Sequence, residues 1–399
     1  MQQSEDSAVP VVLFQTLDAA NGKQIAIATL NVEKTLNALS MEMVELLSTQ
    51  LQLWDKNPNI AAVVLQAAGD KAFCAGGDLQ KLYASMLEQH ATPQKNDLLG
   101  NLQALKFFEQ EYRLDYQIHT YRKPLLCWGH GIVMGGGIGL MAGASHRVVT
   151  EKSRLAMPEI SIGLFPDVAG SWFLNRMPGQ LGLFLGLTGA AINASDAKFV
   201  KLADYQLPHA SKAAILAGMQ AQSWSEDASA NQLLLSALLL QAEQASGSHE
   251  HGPLRRHFDL INQLCASADL AQVVQQITQH VSEEAWMQKA IAGLKKGSPV
   301  SAWLAHSLLQ RCSHLSLAEV FRLELVAALA CSSAGDFAEG IRALIIDKDQ
   351  QPRWQHSSLA EINQDQLDQR YFATPWDANS HPLRDLGAAQ EISSLFSPL

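Results

Sequence analysis

The chain has no long run of lysine or arginine: 29 basic against 39 acidic residues leave a formal net charge of −10 over 399 residues. That balance argues against nucleic acid as a partner, because phosphate binding needs a basic surface. Cysteine is scarce too. There are 5, an odd number, spread widely with no CxxC pair, so they read as reduced thiols in a cytoplasmic setting. The 13 histidines contain no HExxH, and no metal site is expected. No apolar run is long enough to span a bilayer without Gly, His or Asn inside it, so no membrane partner is expected. The opening MQQSEDSAVP is acidic and lacks the charged-then-apolar layout of a secretory signal.

What is present is ordinary globular material, 47% hydrophobic and 17% charged, long enough for a large core and a second lobe. The first half alternates strands and helices. Lys23–Asn31 is β-rich, and Ser40 reads as the N-cap of a helix ended by Asn57-Pro58. Ile60–Gly69 and the run from Pro124 read as buried strands, and HRVVTEKSRLAMPE supplies one or two more. This order predicts an α/β domain with strands covered on both faces. After about Leu207 the chain becomes rich in Ala, Gln and Leu with helical spacing, which resumes from about Arg255 to Leu329. Ala245–Pro253 reads as the best linker, and the stretch after Ile346 as polar and loop-like. The expected division is a core over 10–207, a helical region over 208–345 and a polar tail over 346–399.

Two glycine-rich stretches stand at strand-to-helix junctions: KAFCAGGDL (Lys71–Leu79) and HGIVMGGGIGL (His130–Leu140). Neither fits a dinucleotide or phosphate-loop motif. Glycine there lets backbone approach a ligand, and helix N-termini leave N–H groups unsatisfied. Two such groups aimed at one point make an oxyanion hole. MPEISIGLFPDVAG (Met157–Gly170) then places Glu159 and Asp167 among isoleucines and leucines, where carboxylates need a reason to be.

In combination, AFCAGGD, HGIVMGGGIGL, AMPEISIGLFPD and LGLTGAAINASDA resemble the crotonase (enoyl-CoA hydratase/isomerase) superfamily from about Val12 to Leu207. The resemblance implies a spiral of ββα units with a helical C-terminal region, an acyl-CoA substrate, and an oxyanion hole from the N–H groups of Gly77 and Gly136. Ala75, Asp78 and Gly135 are expected beside the substrate, Asp78 chiefly as a helix cap. Hydratases of this type carry a glutamate three residues after the second glycine of the GGG run. Here that position is Gly139, which argues against efficient hydration, a reaction that needs a paired acid and base.

The set Glu111, Glu159 and Asp167, with KKGSPVSAWLAHSLL and the stretch Leu323–Trp354, resembles the 3-hydroxyisobutyryl-CoA hydrolase branch. That branch implies thioester hydrolysis, with Glu159 as nucleophile or general base. Asp167 would hold the substrate hydroxyl or orient water, and Glu111 would bond the same polar end. Coenzyme A arrives with the substrate and no other cofactor is implied; a homo-oligomer, a trimer or a multiple of it, is the family expectation. A hydratase or isomerase using Glu159 alone is the rival enzyme, and an inactive acyl-CoA-binding protein is the rival from another class. His130, Cys74 and Cys127 read as packed core; Lys34, Lys295 and Lys296 could meet the CoA phosphates, with solvated surface as the default reading.

Overall fold

The apolar run Ile60–Ala67 becomes the centre of a six-stranded sheet in the computed structural model, which describes residues 9–247, 250–377 and 379–387. Its strands are β1 (Val12–Asp18), β2 (Gln24–Leu30), β3 (Ile60–Ala67), β5 (Leu125–Gly129), β7 (His146–Val149) and β10 (Tyr205–Gln206), in that spatial order. β1 is antiparallel to β2, and every other pairing is parallel. A second sheet has the order β4 (Ala72–Cys74), β6 (Ile132–Met134), β8 (Arg154–Ala156) and β9 (Ile192–Asn193). Each of the successive pairs β3–β4, β5–β6 and β7–β8 sends its first strand to the large sheet and its second to the small one. This is the ββα repeat that the sequence led us to expect, and the strands β4 and β6 lie unseen inside what read as glycine-rich junctions.

Both faces of the large sheet are covered, so its central strands are apolar throughout rather than alternating. Ile25, Ile27, Val64, Leu126 and Trp128 pack with Leu235 and Leu239 of the helix Ala228–Ala245. Ala28, Val63, Leu65 and Cys127 belong to the main core on the opposite face. Helix α1 (Met41–Lys56) starts where predicted: the Ser40 side chain accepts from Met43 N, and Glu42 sits in the first turn. The helices after α1 that build the site are α2 (Leu79–His90), α3 (Leu102–His119), α4 (Gly136–Ala142) and α5 (Gly170–Phe173).

The C-terminal helices pack on this core and enter its main apolar cluster through Phe321, Leu325 and Phe337. The stretch after Ile346 differs from its loop-like reading. It carries a helix, Gln364–Phe372, whose Leu367 and Tyr371 are buried; two apolar residues in a polar context are too few to show helical periodicity. Of the linker Ala245–Pro253, residues 248 and 249 lie outside the described residues, as do the opening eight residues and 388–399. No helix among the described residues is long and apolar enough to cross a membrane.

Candidate active site

The three parallel strands of the small sheet, β4, β6 and β8, end side by side. Their C-terminal ends deliver Ala75–Gly77, Gly135–Gly136 and Pro158–Glu159 to one place, the usual position for a ligand in α/β sheets. A cavity of ≈ 270 Å³ opens there, and its lining includes Ala75, Gly77, Gly135, Gly136, Glu111, Glu159 and Asp167. Seven of the eight expected site residues therefore converge. Asp78 does not line the cavity; its side chain caps α2 by accepting from Lys81 N. Lys34, Lys295 and Lys296 are exposed away from it. His130 is buried against Gly69, its Nε2 2.8 Å from the Gly69 carbonyl oxygen. A larger cavity of ≈ 520 Å³, bounded by Arg154, Trp286 and Lys289, has no carboxylate in its walls and is not the candidate site.

Among the described residues, neither Gly77 N–H nor Gly136 N–H donates to a backbone carbonyl. Gly136 opens α4, so its N–H is one that a helix cannot satisfy, and a Cβ built on it would lie 3.7 Å from Gly77 N. The two glycines thus lie side by side on the cavity wall. Gly135, the N-cap, holds φ 50° and ψ −121°, a conformation costly for any residue with a side chain. Its missing Cβ also leaves room for Glu159, whose Oε1 would be only 3.0 Å from a methyl there.

The carboxyls stand on separate elements. Glu111 comes from α3, Glu159 from the 3-10 turn after β8, and Asp167 from the loop before α5; each is 5% exposed or less. Burial pushes Glu111 and Glu159 well above the ordinary carboxylate range, and the charge of Asp167 adds to it. Asp167 is pushed up less, to about 6, because Tyr112 Oη donates to its Oδ2 at 2.8 Å and favours the ionised form. Glu159 Oε2 meets no donor among the described residues, which leaves it free to act on a ligand.

Three participants were not visible in the sequence. Tyr112 follows Glu111 and reads as ordinary core. Asp115, one helical turn beyond Glu111, is fully buried with neither oxygen hydrogen-bonded among the described residues, and burial raises its pKa strongly. Glu324 sits on the buried face of the helix Leu317–Ser333 and accepts from Ala169 N and Ser171 N, both at 2.9 Å. Burial pushes its carboxyl up to about 8 against those two donors. An isolated acid within LELVAALA was the available signal. The C-terminal region also closes one wall of the cavity with Phe337, Leu344 and Ile345.

Gly139 is closed to any side chain. A Cβ there would stand 2.8 Å from both Asp115 Oδ2 and Val168 Cβ, so the space a second acid would need is already filled.

The family model for enoyl-CoA hydratase/isomerase matches residues 25–372. A Danio rerio protein named 3-hydroxyisobutyryl-CoA hydrolase, mitochondrial, is 36% identical over 360 residues, 90% of this chain and 88% of the relative. Among solved structures, an enoyl-CoA hydratase from Rhodobacter sphaeroides has a TM-score of 0.77 at 30% identity, covering 91% of this chain and 97% of its own. A carnitinyl-CoA dehydratase from Mycobacterium thermoresistibile reaches 0.78 at 28% identity, covering 92% and 97%. The α/β architecture with its helical C-terminal region is therefore the crotonase fold. The names on the two structures and on the relative differ in reaction, and the filled space at Gly139 sides with hydrolysis. The chain belongs to the enoyl-CoA hydratase/isomerase family, on the branch of the 3-hydroxyisobutyryl-CoA hydrolases.

Proposed function

We propose that the protein hydrolyses the thioester of 3-hydroxyisobutyryl-CoA to the free hydroxy acid and CoA, a step of valine breakdown, with 3-hydroxypropionyl-CoA as a second substrate. The observation that carries this reading is the convergence of two unpaired glycine N–H groups and three buried carboxyls on one small cavity. The thioester oxygen sits between the N–H groups of Gly77 and Gly136, which stabilise the negative charge that develops on it. Glu159 supplies the base. It either attacks the carbonyl carbon to give a mixed anhydride that water then opens, or takes a proton from water as the water attacks. In both routes the C–S bond breaks, the thiolate leaves and takes up a proton, and the acyl group gains the oxygen of water. Asp167 and Glu111 hold the 3-hydroxyl, and Ala75 and Gly135 line the acyl passage. Coenzyme A enters as part of the substrate, and no further cofactor is written into these steps.

The five cysteines are all buried and free, which suits a reducing compartment. The cytoplasm read from the sequence and the mitochondrion named for the Danio rerio relative both qualify. A homo-oligomer remains the family expectation.

The substrate assignment is tested by free-thiol release from 3-hydroxyisobutyryl-CoA and from isobutyryl-CoA, which differ only in the hydroxyl. Because two buried carboxyls would be left without their partner, kcat/KM should fall by roughly 10²-fold or more without the hydroxyl. Equal rates would remove the role given to Asp167 and Glu111.

A further inference from the structure

Asp167 is followed by two residues in the left-handed region, Val168 at φ 49° and Ala169 at φ 69°. Neither is glycine and one is β-branched, so this backbone is strained and must be held by its surroundings. Part of the hold is local. Gly170 N donates to the Asp167 carbonyl oxygen at 2.6 Å, and Val168 is buried in the space that Gly139 leaves open. The rest comes from far along the chain. Glu324, fully buried, accepts from Ala169 N with Oε2 and from Ser171 N with Oε1. In either protonation state the carboxyl offers a lone pair on each oxygen to these two amides. Removing it would leave two buried N–H groups without acceptors next to a strained turn.

The turn is thus pinned from two sides. Tyr112 on α3 holds the Asp167 carboxylate, and Glu324 on the helix Leu317–Ser333 holds the backbone just after it. A fully buried acid among apolar neighbours has no packing advantage over leucine; fixing this turn gives it a use. We infer that Glu324 is a positioning residue for the reaction, clamping the Val168–Ala169 turn so that Asp167 faces the cavity. The inference rests on the role proposed above for Asp167. It also makes the C-terminal helical region part of the catalytic apparatus rather than a cover.

The test is a double-mutant cycle on the full chain, read as kcat and KM for thiol release. Glu324→Gln is nearly isosteric but turns an NH₂ toward one of the two amides, and should lower kcat/KM by about 10–100-fold. If the loss runs through Asp167, adding Glu324→Gln to Asp167→Asn should cost less than about twofold more. Ala169→Gly, which relieves the left-handed strain, should restore much of the activity of Glu324→Gln. If Glu324→Gln alone does not fold, Glu324→Asp, whose shorter side chain cannot reach both amides, takes its place in the same cycle with Asp167→Asn. Losses that multiply in the double variant, or a Glu324→Gln enzyme as active as wild type while Asp167→Asn is impaired, would overturn the clamp. A silent Asp167→Asn would overturn the role of Asp167 and the clamp with it.

Discussion

Glu159→Gln is expected to lower kcat for thiol release by roughly 10³-fold or more while KM changes little. Gln keeps the shape of the side chain and can still occupy the space beside Gly135, but it cannot take a proton or attack a carbonyl. A substrate that fits the wild-type cavity should therefore still bind. The wild-type pH profile follows from the same group. A base works in its ionised form, so activity rises with pH through its pKa. Burial and the Asp167 charge hold Glu159 well above the ordinary range, and Asp167 itself ionises near 6. The acid limb of kcat/KM should therefore lie well above the range of a solvated carboxylate. What little activity Glu159→Gln retains should lose that limb. Steady-state kinetics across pH 5–9 checks both parts. A variant within tenfold of wild type would remove Glu159 from the chemistry.

The second large effect is expected at Gly136. An added Cβ would collide with Glu111 Oε1 and reach to 3.7 Å from Gly77 N, placing a methyl in the space the two N–H groups share. Gly136→Ala should cost about 10²–10³-fold in kcat, the range for losing one oxyanion donor. Gly77→Ala makes a useful contrast. Its Cβ would meet only the edge of the Phe107 ring, at 3.2 Å, and the ring can give way. A loss of about tenfold is expected there. Circular dichroism on both variants separates a damaged hole from a damaged fold. If Gly136→Ala is no worse than Gly77→Ala, the oxygen does not sit where these donors place it.

β3 and α1 were legible in the sequence because one is a long apolar run and the other has a cap and a helical stripe. β4 and β6 were not, since three residues cannot display alternation, and β8 was read only as the second of one or two strands in HRVVTEKSRLAMPE. Yet these strands carry the glycines and Glu159 to the cavity. Gly135–Gly137, Glu159 and Asp167 stood out because glycine triplets and carboxylates are costly in apolar stretches, but their roles, and Glu111 altogether, came from the family resemblance. Tyr112 and Glu324 were not. They act on Asp167 and on the turn after it across 55 and 155 residues of chain, and nothing local marks that adjacency. The absence at Gly139 was legible as a missing acid; its physical content, a space filled by Asp115 and Val168, needed the fold.

The most direct measurement supplies the wild-type protein with 3-hydroxyisobutyryl-CoA and, separately, with crotonyl-CoA, following free thiol in the first and loss of the double bond in the second. The account predicts rapid thiol release and hydration slower by orders of magnitude, because the cavity offers one base at the thioester and no second acid at Gly139. Hydration of crotonyl-CoA at a comparable rate, or no thiol release from the hydroxyacyl substrate, would contradict it.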